Sequence, residues 1–176
     1  MAQMRVLLMG VGNILLKDEG LGVRALKRLL ADYRLPDEVQ AIDGGTLGMD
    51  LLPYLQDATD ALIIDAVDMG RSAGSLTRLE GEEISSALST KTSIHQAGLQ
   101  KVLAANQMKG GAPRRLVIWG MQPSTLGWGT DLSPEVTANM SALVDAVVSE
   151  LRTWGVDMPR EISYCYPLHA DRTSSG

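Results

Sequence analysis

A chain of 176 residues, 45% hydrophobic and with a formal net charge of -5, can bury the core of one domain and lacks the basic footprint of a nucleic-acid binder. Its one cysteine, Cys165, excludes an internal disulfide framework and fits a reducing cytoplasm. The apolar start MAQMRVLLMG is too short for a secretion signal or a membrane span, so a soluble cytoplasmic protein without a membrane partner is expected.

With no phenylalanine and nine methionines, aliphatic side chains must fill the interior, as in α/β proteins. Residues 4–9 (MRVLLM) form a continuous apolar run that predicts a strand buried on both faces. Leu26, Leu29, Leu30 and Tyr33 then recur at helical spacing, predicting a helix over 21–33 that ends near Pro36. EVQAID (38–43) predicts a second strand broken by Gly-Gly-Thr, and residues 48–56 a short helix that tolerates Pro53 near its start. DALIIDAV (60–67) predicts a third buried strand. GSLTRLE (74–80) alternates apolar and polar residues, as an edge strand with one wet face does. Residues 82–89 and 96–107 predict helices, and RRLVIWGM (114–121) a last strand. Ser133 as cap, Pro134 at the first position and Glu135 on the dipole start a final helix. Its stripe runs through Val136, Met140, Leu143, Val144, Val147 and Leu151 to a stop at Gly155. The domain is expected to span 1–156, with 157–176 a patternless, partly mobile tail.

Strands alternating with helices predict a mostly parallel sheet covered on both faces, with ligands bound outside the carboxyl ends of its strands. Three strand exits there carry acids: Asp18 and Glu19, with Asn13, after the first; Asp43 after the second; Asp65 at the end of the third. GVGNILLKDEGLG (10–22) is not a dinucleotide fingerprint, because Leu15 stands where the third glycine belongs, and no P-loop lysine follows. The flanking carboxylates would repel pyrophosphate and favour a cation. Asp18 or Glu19 could equally cap a helix, Asp43 could form a turn, and His95 could cap or pack. Asp65 closes an apolar strand, where a carboxylate must find donors, a cation or a shifted pKa. Carboxylates with a neutral imidazole are also a plausible set for zinc or nickel, although Glu19, Asp65 and His95 have no short ligand spacing. No serine-nucleophile elbow or zinc-protease helix motif is present.

Four blocks in this order, GVGNILLKDEGLGV, DGGTLGMDLL, LIIDAVDMG and SIHQAGL, resemble the NiFe-hydrogenase maturation endopeptidases. The similarity runs from about Met4 to Val156. It implies a three-layer α/β/α sandwich with a twisted five-stranded sheet, 74–80 supplying the one antiparallel strand. It also implies a metal-dependent cytoplasmic endopeptidase that removes the C-terminal extension of the large-subunit precursor once nickel is inserted. By motif position Glu19, Asp65 and His95 would be the nickel-sensing ligands, with Glu19, Asp65 and Asp43 in catalytic roles. Nickel would arrive with the precursor, no tightly bound metal of the protein's own is expected, and the free protein is expected to be a monomer. A non-enzymatic nickel-dependent chaperone and a self-sufficient metallopeptidase remain the competing readings. Asp18 has no ligand role in the resemblance and is expected to cap or orient the following helix, so Asp18→Asn should process substantially.

Overall fold

The computed structural model describes residues 4–89, 94–110 and 113–161. Five strands, β1 (Val6–Val11), β2 (Val39–Gly45), β3 (Asp60–Ala66), β4 (Leu76–Glu80) and β5 (Arg115–Met121), form one sheet in the order β2-β1-β3-β5-β4. The β1–β2, β1–β3 and β3–β5 pairs are parallel, and β4 runs antiparallel to β5 at the edge. The alternation read at 74–80 is realised there, with Thr77 and Leu79 buried and Arg78 and Glu80 exposed. Arg78 closes this edge by a two-pronged contact to Glu150 at 2.7 and 2.9 Å, a geometry matched to carboxylate.

Side chains alternate between the two faces of β1 and β3, and both faces are covered. Leu8, Leu62 and Ile64 join a core with Leu26 of α1 (Leu21–Asp32) and Met140, Leu143 and Val147 of α5 (Pro134–Thr153). Leu7, Met9 and Ile63 face the other way. There they meet Leu55 of α2 (Leu52–Asp57), Ile84 of α3 (Glu82–Ser89), and Leu99 and Val102 of α4 (Ile94–Met108). This three-layer arrangement explains the unbroken apolar strands, because each large side chain taken out of water contributes roughly 1.5–3 kcal/mol.

The start of α5 agrees with the sequence: the Ser133 hydroxyl accepts the Val136 N–H, and Pro134 opens the helix. At its end Gly155, with φ +88°, lets its own N–H reach Arg152 O and the Val156 N–H reach Leu151 O, the paired closure that glycine permits. Three expectations need correction. β1 runs two residues further than the apolar run, and β2 passes through Gly44 and Gly45 instead of breaking there. In α1 the predicted stripe holds at Leu26, Leu29 and Tyr33, which are buried together with Leu21, Val23 and Ala25, and fails at Leu30, which is exposed.

Residues 157–161, read from sequence as the start of a tail, lie against α1. Met158 is buried, Arg34 N–H donates to Pro159 O, and the Glu161 N–H donates to Asp32 O. Cys165 falls outside the described residues. No described helix is long and apolar enough to cross a membrane.

Candidate functional site

β1 pairs with β2 on one side, Gly10 opposite Asp43, and with β3 on the other, Gly10 opposite Ile64. The chain therefore reverses its direction of travel across the sheet at β1, and the carboxyl ends of β1 and β3 are where sheets of this kind form their ligand crevice. Two glycines shape it. A Cβ on Gly22 would come within 2.1 Å of Ile64 O and 2.4 Å of Val11 O, so only glycine lets α1 start against both strand ends. Gly12 has φ +125°, and a Cβ there would fall 1.8 Å from Glu19 O. This close approach seats a 3-10 turn, Lys17–Gly20, against the end of β3.

The turn separates its adjacent acids. Lys17, at φ 45°, occupies the left-handed region that non-glycine residues seldom adopt. Its N–H is held by Gly129 O at 2.8 Å, and the Asp18 N–H by Thr125 O. Asp18 is fully buried. Its carboxylate accepts the N–H groups of Ser124 (2.9 Å), Thr125 (3.0 Å) and Ser133 (2.7 Å). Burial alone would raise its pKa, but these donors outweigh it and hold the carboxyl below its ordinary 3.8. Asp18 does not cap the helix that follows it; α1 starts at Gly20 without a side-chain cap. It fastens the β5–α5 loop to the floor of the crevice instead.

Glu19 is 4% exposed. Among the described residues its carboxylate has no hydrogen-bond partner. The other buried acids are compensated. Asp60, at the amino end of β3, is bonded by Arg115, Thr59 and Arg114. Burial opposes its ionisation, and these donors hold its pKa down. Asp65 is 1% exposed at the end of β3, and its Oδ1 accepts the Ala66 N–H at 2.7 Å. Glu19, in the turn after β1, and Asp65, at the end of β3, are thus buried acids at the carboxyl ends of two neighbouring strands.

Asp43 lies on the outer strand at the same rim, half exposed, with Oδ2 3.6 Å from Lys27 Nζ. Such an exposed pair contributes at most about 1 kcal/mol. His95 belongs to the first turn of α4; its side chain is outside the described residues. The backbone of α4 packs on the turn Gly48–Leu51 that follows β2, with a Cβ on Gly98 3.6 Å from Gly48 Cα. Among the described residues no three His, Cys, Asp or Glu side chains form a group able to hold a metal ion. Asn13 shapes the turn rather than lining the crevice, its Oδ1 accepting the Leu15 N–H at 3.0 Å.

One structural residue of the site escaped the sequence reading. Gln122, buried just past β5, donates to Asp68 Oδ1 and accepts the N–H groups of Met69 and Arg71 at 2.7 and 3.2 Å. It fixes the β3–β4 loop as Asp18 fixes the β5–α5 loop. Its signal was a polar side chain directly after a strand buried by its neighbours.

The HycI family of hydrogenase maturation proteases matches residues 23–150. The hydrogenase 2 maturation protease of Escherichia coli is 40% identical over 160 residues, 90% of this chain and 98% of that protein. The hydrogenase expression/formation protein HupD of Rhodobacter capsulatus is 38% identical over 158 residues, 89% of this chain and 75% of that protein. The solved structure of the E. coli hydrogenase maturating endopeptidase HybD superposes with a TM-score of 0.85 at 38% identity, covering 89% of this chain and 98% of that one. The chain belongs to the hydrogenase maturation protease family.

Proposed function

We propose that this protease removes the C-terminal extension of a nickel-loaded NiFe-hydrogenase large-subunit precursor, and that Glu19, Asp65 and His95 read the nickel carried by that substrate. The observation that carries the reading is the pair of buried carboxylates at the carboxyl ends of β1 and β3, one of them, Glu19, without a compensating donor among the described residues. A carboxylate that takes part in no hydrogen bond among the described residues keeps its oxygen lone pairs available to a cation brought by the substrate. Carboxylate oxygens with an imidazole suit a borderline divalent ion.

Hydrolysis adds water across the scissile amide, and the proton taken from water goes to the leaving amine. Glu19 or Asp65 orients and deprotonates that water. The substrate's nickel either polarises the scissile carbonyl or marks the precursor as ready. Asp43 is assigned to the mouth, where its exposure and its pairing with Lys27 support contact with bound substrate. Three donors without a thiolate hold free divalent ions weakly, so the resting protein carries no tightly bound metal of its own. The protein acts as a cytoplasmic monomer.

Mass spectrometry of loaded precursor after incubation is expected to show one cut near its C-terminus and an intact body, with unrelated peptides left whole. Cleavage of generic peptides would instead make this a self-sufficient metallopeptidase, and binding without any cut a chaperone.

A further inference from the structure

The large hydrophobic side chains that remain exposed are not scattered. Apart from Leu30 and Met108, those among the described residues lie on the loops leaving the carboxyl ends of the parallel strands. Ile14 and Leu15 follow β1, Met49 follows β2, Met69 follows β3, and Leu126 and Trp128 follow β5. Trp128 is 82% exposed. Large apolar side chains gathered at one edge of a fold point to a binding surface, and tryptophan is among the side chains that most often dominate one.

The loops that bear these residues are built, not slack. The Gly129 N–H donates to Leu15 O, and the Lys17 N–H to Gly129 O, joining the β1 and β5 exits. Asp18 fixes residues 124, 125 and 133 from below, and Gln122 fixes residues 68–71. Holding apolar groups in place before binding reduces the entropy lost on docking. These loops make a collar at the same strand ends where the acids Glu19 and Asp65 are buried.

We propose that this collar, with Trp128 as its main anchor, docks a folded apolar surface of the precursor that borders its metal ion. Acids at the same strand ends as an apolar collar are complementary to a cation bordered by apolar surface, and not to a short polar peptide. The proposal rests on the precursor being the substrate. It makes Trp128 a determinant of substrate choice that takes no part in the chemistry.

The test compares Trp128→Ala and Leu15→Ala with wild type on loaded precursor, reading KM and kcat separately and precursor binding by calorimetry. Met108→Ala is the comparator. Met108 is 89% exposed at the far end of α4, away from the collar. Trp128→Ala is expected to raise KM and Kd about tenfold or more, with kcat within about twofold. Leu15→Ala should move both in the same direction by less, and Met108→Ala should move neither. Unchanged KM and Kd would overturn the proposal. So would a wild-type dimer, seen by sedimentation, that Trp128→Ala dissolves without affecting precursor binding. If wild type binds precursor but never cuts it, the proposed activity fails, while the tenfold loss of binding still upholds the collar. If wild type does not bind precursor, the collar falls too.

Discussion

Glu19→Gln is expected to abolish processing while leaving the fold as stable as before. The substitution removes one negative charge and almost no volume. Among the described residues the Glu19 carboxylate takes part in no hydrogen bond, so the amide that replaces it breaks none. Loss of a group that activates water or holds a cation lowers the rate by about 100-fold or more. Formation of mature large subunit on a denaturing gel, with a thermal melt of the same sample, reads both quantities. Retained stability with lost activity is the signature of a side chain kept for chemistry. Wild-type processing by this variant would remove Glu19 from the mechanism.

Asp18→Asn is expected to show the reverse pattern, although it is the neighbouring residue. The carboxylate accepts three backbone N–H groups with both oxygens, and an amide has only one oxygen to offer. Its NH2 group would face either Ser133 N–H or the pair from Ser124 and Thr125, donor against donor. Leaving such donors unsatisfied costs about 2–3 kcal/mol, or about 4–12 °C in Tm for a chain of this size. Processing then falls because the β5–α5 loop loosens, not because a catalytic group is lost. The expectation from sequence, that this variant would process substantially, is revised accordingly. A pH series adds a second readout. The depressed Asp18 pKa contributes stability that is fully present above its ordinary 3.8 and is lost as pH falls through the lower folded value. The stability gap between wild type and variant should therefore be constant at neutral pH and narrow on acidification below about 4. A melt of Asp18→Asn equal to wild type at pH 7 would contradict the role assigned here.

Much of the fold was legible because it rests on local patterns. The apolar strands, the wet face of β4 and the cap, stripe and glycine stop of α5 are all written within short windows. Gly10 and Gly45 misled the reading of β1 and β2, since glycine usually ends a strand. Here neighbours on both sides of β1 carry the ladder through Gly10, and β2 alone carries it to Val11. In α1 the spacing found the buried stripe through Leu26, Leu29 and Tyr33 but included Leu30, which lies outside it. The rim position of the acids followed from the rule for parallel sheets. The different fates of Asp18 and Glu19 could not be read locally, because the partners of Asp18 lie 106, 107 and 115 residues away. Gln122 was missed for the same reason, its role being set by a loop more than fifty residues earlier.

The most direct measurement pairs one wild-type preparation with the same precursor in nickel-loaded and nickel-free forms, following mature large subunit over time. If Glu19, Asp65 and His95 read nickel carried by the substrate, mature subunit forms only from the loaded precursor, and loading the nickel-free sample restores cleavage. Equal rates from the two forms would show that these residues act without the substrate's metal, and would contradict the account.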